Sequence, residues 1–412
     1  MQTLKGACVF AQSGGPTSVI NASFYGMAKA ALNNPNITRV LGAAHGIKGI
    51  LNDILYDIGK EDEYELSLLL NTPSSALGSC RYKIADPDKD DRDYKRILEI
   101  FKKYDIRYFF YNGGNDSMDT CDKVSRFMAS SGYECRVIGI PKTIDNDLFG
   151  TDHCPGFGSA ARYIATSCME IALDARVYDY GTVTIVEIMG RHAGWLTGAA
   201  ALASHFGAGP DLIYLPETAF DMDEFLAKVK ALYDSGKGVF VAVSEGIQDR
   251  DGNFISEYAS KSGKDAFGHV QLGGLSAYLA NRVKEYCGAK VRGIELSLLQ
   301  RCGAHLASRT DIEEAVLAGK TAVEAATSGE TGKMVAFERE YVDGKYSCKT
   351  KLIPLTQVAN YESKVPLEWI LPGGAGVTQD FIDYVLPLIQ GDPMRAEENS
   401  LPRFARLKKI RA

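Results

Sequence analysis

A cation, a hydroxyl and two carboxylates stand within Pro141-Lys142-Thr143-Ile144-Asp145-Asn146-Asp147. That grouping suits proton abstraction beside a moving phosphoryl group. One carboxylate could serve as base toward a sugar hydroxyl, while the other would hold the hydrogen-bond frame or a metal. Lys142 would neutralise charge on the group in transfer. Asp145 and Asp147 alternate, so on extended backbone they share one side. An acidic surface turn is the competing reading of the same residues.

Other segments point the same way. Ser13-Gly14-Gly15 precedes a helical pattern, where bare amides approach an anion and a helix N-terminus adds positive potential. A tight turn would need the same glycines for conformation alone. Gly113-Gly114-Asn115-Asp116-Ser117 projects polar side chains beside permissive backbone, and a carboxylate next to phosphate calls for a metal between them. Asp116 or Ser117 could instead cap the following helix. Met189-Gly190-Arg191-His192-Ala193-Gly194-Trp195 offers the rigid donor fork of Arg191 to a phosphate, or packs its stem on Trp195. Glu245 closes an apolar run and would accept sugar hydroxyls, or simply face solvent.

These residues need elements to hold them. Apolar runs at Gly6–Gln12, Arg39–Ala44, Arg107–Asn112 and Arg136–Ile140 read as strands, with helical spacing at Val19–Leu32, Asp93–Tyr104 and Met118–Ser130. The rhythm resumes with helices at Ser159–Leu173, Gly194–His205 and Glu217–Asp234 and strands at Thr182–Met189, Asp211–Leu215 and Gly238–Ser244. A Gly/Ser/Lys-rich loop spans 260–268, Asp311–Ser328 is helical, and Met334–Tyr341 with Tyr346–Ile353 predicts a hairpin across Asp343-Gly344. The basic tail from Pro402 reads as a solvated terminal helix or a frayed end. Strand, loop and helix in alternation predict an α/β fold of two doubly wound, Rossmann-like domains with mostly parallel sheets and the active site in the cleft between them.

Composition sets the outer limits. A chain of 412 residues exceeds one ordinary core, and 45% hydrophobic with 24% charged residues is globular. No apolar run approaches the ~18 residues of a membrane span, and the start MQTLKGACVF reads as a strand rather than a signal peptide. The net charge of −6 asks for no nucleic acid. Nine cysteines without a CxxC pair fit free thiols in a reducing cytoplasm, and the six dispersed histidines offer no zinc spacing.

In this order, SGGPTSVINA, the Gly113–Ser117 loop, PKTIDND, MGRHAGW, SEG at Ser244–Gly246 and the spacing from Arg292 to Gln300-Arg301 resemble the phosphofructokinase family over about residues 6–319. The resemblance implies Mg²⁺-dependent phosphoryl transfer to the C1 hydroxyl of fructose 6-phosphate, with Asp145 as base. It places Thr143, Asp147, Met189, Gly190 and Glu245 on the sugar, Arg191 also near the transferring group, and Arg292 and Arg301 on the 6-phosphate. Arg292 would come from a neighbouring subunit, hence a homodimer or homotetramer. Gly15, Arg81 and Gly114 match donor-phosphate contacts, and Asn115 the metal position. Residues 1–155 with about 300–345 would bind the donor, and 156–299 with about 350–412 the sugar phosphate.

Two positions speak to the donor. ATP-using relatives generally carry Gly where this chain has Asp116 and Lys142. The resemblance is therefore to the diphosphate-using type, because the Asp116 carboxylate would occupy the place of an α-phosphate by bulk and charge. Ile47 sits where some ATP users stack an aromatic. Three positions depart from the pattern: Asn115 for a carboxylate, Leu298 for a sugar-phosphate His, and Thr182 for a cross-subunit Arg. Arg176 and Lys261/Lys264 are candidates to replace that arginine, and His269 reads as loop and packing. The rivals are an ATP-dependent relative, a silent regulatory subunit of the same fold, and a kinase for another sugar phosphate or a nucleoside; sedoheptulose 7-phosphate stays open as a secondary acceptor.

Overall fold

Every residue of strand β1 (Gly6–Gln12) is buried, as a central strand covered on both faces requires. Its side chains alternate. Val9 and Ala11 enter one apolar cluster, while Cys8 and Phe10 enter another on the opposite face. The remaining strands follow as β2 (Ile37–Ala43), β3 (Leu55–Asp57), β4 (Ile106–Gly113), β5 (Arg136–Pro141), β6 (Val183–Ile188), β7 (Leu212–Tyr214), β8 (Val239–Ser244), β9 (Val291–Glu295), β10 (Lys333–Val342) and β11 (Lys345–Pro354). The computed structural model describes residues 4–177, 180–258, 274–359 and 361–412. The 260–268 loop, with Lys261 and Lys264, and His269 lie outside the described residues.

The first sheet runs β11-β10-β5-β4-β1-β2-β3 and the second β7-β8-β6-β9. In the first, β1 is parallel to both β2 and β4. The connections therefore leave β1 and β4 toward opposite sides, which opens a crevice at their carboxyl ends. The second sheet is parallel throughout. It is also covered on both faces, with Val186 and Ile188 in one cluster and Val183 and Ile185 in the other. Phe10 stacks on Phe24 of the helix Ile20–Leu32 at 4.9 Å, and burial of such a side chain contributes roughly 1.5–3 kcal/mol.

The expected doubly wound architecture is present, with three corrections of detail. The helix read at Gly194–His205 is two short helices, Trp195–Gly198 and Ala201–His205; the face of Gly198 lies against the Phe381 ring, where a Cβ would come within 2.5 Å of a ring carbon. The segment assigned from about 350 to the second unit divides. Strand β11 pairs with β10 along its whole length, Lys333 opposite Pro354, and so stays in the first sheet. Only the following stretch, with Ile370, Phe381 and Val385, packs into the second core.

The basic tail is neither helical nor frayed. It lies extended along the β3 edge, where the Asp57 amide donates to the Ile410 carbonyl at 2.8 Å and the Ala412 amide to the Leu55 carbonyl at 3.0 Å. Arg403 pairs with Glu65, and the Lys408 and Lys409 amides each donate to Glu61 at 2.7 Å. Edge strands need such cover, and the acidic 61–65 stretch draws the basic tail to this one.

Candidate active site

The carboxyl ends of the two sheets face each other across a cavity of about 790 Å³, the size of an ordinary small-molecule site. Gly15, Arg81, Gly114, Asn115 and Asp116 line the wall from the first sheet. Lys142, Thr143, Asp145 and Asp147 line it from the loop after β5, Met189, Arg191 and Glu245 from the loops of the second sheet, and Arg301 from the segment after β9.

Lys142 is 4% exposed. Its backbone amide donates to the Gly113 carbonyl at 3.1 Å, and its ammonium to the Gly15 carbonyl at 2.7 Å. One residue, through its backbone amide and its side chain, thus ties the loops after β1, β4 and β5 together. Burial lowers its pKa to about 8, with help from Arg301 and Arg81 and against Asp145 and Asp147. Burial likewise pushes Asp145 up, opposed by Lys142, Arg301 and Arg191. Burial, then Asp145 and Glu362, take Asp147 to about 7, and burial with Asp145 takes Glu245 to about 7. Asp147, Glu245 and Lys142 are thus brought near neutrality in one cleft, the arrangement that acid–base chemistry uses.

The two aspartates converge by a route the sequence reading missed. The backbone is not extended between them, because Asn146 adopts φ +56°, a conformation asparagine tolerates better than most residues. Its buried amide is held on both sides: Nδ2 donates to the Tyr384 hydroxyl at 2.8 Å, and Oδ1 accepts from the Cys154 amide at 2.8 Å. Tyr384 in turn donates to the Asp152 carbonyl at 2.7 Å. Behind it His153 lies between Asp152 and Glu314, at 2.8 and 2.7 Å. Burial alone would lower the imidazole pKa, but Glu314 and Asp152 raise it to about 9, so this trio is an ion network that braces the turn.

The glycine loops differ from each other. The helix Asn115–Ser130 has Gly114 at its N-cap and no side chain capping it, so Asp116 and Ser117 do not serve as caps and the helix N-terminus is open to an anion. The helix after Ser13-Gly14-Gly15 begins only at Ile20, so that loop offers backbone without a helix terminus. Asn115 Oδ1 is buried and has no hydrogen-bond partner, leaving a hard oxygen donor beside the loop. Asp116 faces Lys83 at 3.6 Å, with both side chains about half exposed at the rim (48% and 58%).

On the second sheet, Glu245 accepts from the Gly190 amide at 3.3 Å, and Ser244 donates to the Gly190 carbonyl at 2.6 Å. Gly246 passes so near the Arg191 carbonyl that a Cβ would lie 1.9 Å from it. The Met189–Arg191 and Ser244–Gly246 loops are thus locked as a pair. Arg301 stands over Gly15, within 3.1 Å of where a Cβ would be, on the donor-loop side rather than apart from it. Arg292 is not in the cavity. It lies exposed on β9, the sheet edge, paired with Asp174 at 3.1 Å. Arg176 is engaged with Asp211 and the Gly209 carbonyl and does not line the cavity. Leu298 is 53% exposed, and the Thr182 hydroxyl donates to Ala175. Ile47 is buried in the first core. The sequence reading missed Tyr361, Glu362 and Lys364, which also line the cavity; no glycine turn or strand end marks them.

A pH profile follows from these shifts. A base whose pKa is raised stays protonated above the ordinary Asp range, so kcat/KM should rise with pH through the acid side. It should fall again near pH 8 as Lys142 loses its proton. In Lys142→Arg, which stays charged, the alkaline fall should disappear; an unchanged alkaline limb would remove Lys142 from that role.

The family model described as phosphofructokinase matches residues 7–326. The chain is 45% identical over 412 residues to the pyrophosphate–fructose 6-phosphate 1-phosphotransferase of Xanthomonas campestris pv. campestris (strain B100), covering 98% of this chain and 97% of that protein. It is 43% identical over 406 residues to the like-named protein of Halomonas elongata, covering 98% and 96%. The crystal structure of a pyrophosphate-dependent phosphofructokinase from Nitrosospira multiformis matches with a TM-score of 0.89 at 40% identity, covering 99% of this chain and 98% of that one.

Proposed function

The chain belongs to the phosphofructokinase family, and we propose that it transfers a phosphoryl group from diphosphate to the C1 hydroxyl of fructose 6-phosphate. The observation that carries this reading is that Asp145 lines one cavity together with Gly15 and Gly114 of the first-sheet loops and with Met189, Arg191 and Glu245 of the second.

In this reading Asp145 takes the proton of the C1 hydroxyl. The oxygen forms a bond to the near phosphorus of diphosphate as the bridging P–O bond breaks, and inorganic phosphate leaves. Thr143 holds Asp145 in place by accepting from its amide at 3.1 Å; Asp147, Met189, Gly190 and Glu245 bind the sugar. Gly15, Gly114 and Arg81 bind diphosphate. Lys142 and Arg191 spread the charge that builds on the equatorial oxygens, which is most of what a protein contributes to this reaction. A phosphoanhydride as small as diphosphate is not far above a sugar ester in free energy, so the reaction runs in both directions.

Mg²⁺ is the expected cofactor, and the site's donors fit it. The unpartnered Asn115 Oδ1 and the carboxylates that share its cavity are hard oxygens of the kind it prefers. Bound there, it would neutralise phosphate charge that these carboxylates would otherwise repel.

Arg292, exposed on an edge strand, is read as the cation supplied to a neighbouring subunit, so the protein would be a homodimer or homotetramer. Sedimentation of the intact chain as a monomer would contradict that. No described helix is long and apolar enough to cross a membrane, and nine free thiols, most of them buried, suit the reducing cytoplasm as its compartment. The reading as a whole is tested by supplying diphosphate and ATP in turn with Mg²⁺ and fructose 6-phosphate.

A further inference from the structure

Beyond β11 the chain returns across the cleft, and residues 361–365 are pinned to both walls. The Ser363 amide donates to the Asp147 carbonyl at 2.8 Å, and Glu362 forms an antiparallel bridge with Leu148. These attach the strap to the motif that carries Asp145. From the other wall, the Trp195 indole donates to the Ser363 carbonyl at 3.0 Å. Glu217 accepts from the Val365 amide at 3.0 Å and from the Gly194 amide at 2.7 Å. Alternate residues of a strap held along its backbone face the same way, and both Glu362 and Lys364 line the cavity while Val365 is buried beneath.

Lys364 stands at the acceptor end. Its charge bears on Glu217, which holds Gly194 just after Met189–Arg191, and it forms no ion pair among the described residues. Arg191 lines the same wall, but in the reading above it is taken up with the transferring group. Arg301 is over Gly15, near Arg81 of the donor side; Arg292 is on the outer edge with Asp174, where it would serve a neighbouring subunit; and Leu298 offers only an exposed apolar side chain. Yet this end must hold a phosphate dianion while Asp145, Asp147, Glu245 and Glu362 all line the same cavity. A dianion among carboxylates requires more than the single arginine that a neighbouring subunit would lend.

We propose that Lys364 binds the 6-phosphate of the acceptor, presented by a strap that is hydrogen-bonded to both walls of the cleft. This rests on the reading of the site given above. A lysine is a compact charge with three donors on a flexible stem, suited to a terminal phosphate at the end of an open-chain or ring sugar.

Full-length Lys364→Ala and Lys364→Arg test it by steady-state kinetics with fructose 6-phosphate and diphosphate varied separately. The expected result is a KM for fructose 6-phosphate raised about 10- to 100-fold in Lys364→Ala, the range for a lost charge-assisted contact. The KM for diphosphate should stay within about twofold, and arginine should restore most of the loss. Titration of fructose 6-phosphate alone, followed by fluorescence of Trp195 and Trp369, should weaken by a like factor, a change that a loosened strap with intact phosphate binding would not produce. An unchanged acceptor KM, or a diphosphate KM that moves in its place, would overturn the proposal. Failure of the unmodified protein to use diphosphate with fructose 6-phosphate would instead strike the reading of the site, so the two failures are distinct.

Discussion

Asp145→Asn should lower kcat by about 10²- to 10⁴-fold, the usual contribution of a positioned general base, and leave the KM for diphosphate nearly unchanged. The amide keeps the shape of the side chain, and the Asp145 backbone stays tied to Thr143, so the turn should survive. What is lost is the proton acceptor. The substitution also removes a negative charge that helps to raise Asp147 and Glu245, so both should ionise at lower pH. It removes the largest opposing influence on Lys142 too, so the alkaline limb of the pH profile should shift to lower pH. A stable Asp145→Asn protein that keeps more than a tenth of the parent kcat would remove Asp145 from the role of base.

Asp116→Gly should admit ATP. Asp116 sits at the rim beyond Gly114, facing Lys83 across 3.6 Å. A nucleotide's additional phosphate would have to pass this carboxylate. Two like unit charges about 4 Å apart at an effective dielectric constant near 20 repel by about 4 kcal/mol, which is close to 10³ in an equilibrium constant. Lys83 offsets part of that, though a pair this exposed is worth only about 0–1 kcal/mol. The expected gain in kcat/KM for ATP is therefore about 10- to 1,000-fold. Asp116→Asn separates the causes: it keeps the volume and removes the charge. Recovery of ATP use in the asparagine protein would assign the exclusion to charge, and recovery only in the glycine protein would assign it to bulk. No ATP use in either would mean that another part of the cleft sets the donor.

How legible all this was depended on distance along the chain. Loops that follow strands could be read because a βα unit places chemistry at a strand's carboxyl end, and the segments at Gly15, Gly114, Asp145, Arg191 and Glu245 all obey that rule. The hairpin of β10 and β11 was readable from alternation and from the turn pair Asp343-Gly344, where Asp343 has φ +51°. Long-range placements were not. Nothing local to Tyr361–Lys364 announces that it crosses the cleft, because its hydrogen bonds go to residues 147, 195 and 217. The tail misled for the same reason: RFARLKKIRA looks solvated until Glu61 and Glu65 are brought beside it. The turn at Asn146 was read as extended because its left-handed backbone is set by Tyr384 and Cys154, which are distant or not obviously partners.

The donor is decided by turnover of fructose 6-phosphate by the purified, unmodified protein with Mg²⁺ and either diphosphate or ATP. Fructose 1,6-bisphosphate should form with diphosphate, and little or none with ATP. Turnover with ATP and none with diphosphate would contradict the proposed function.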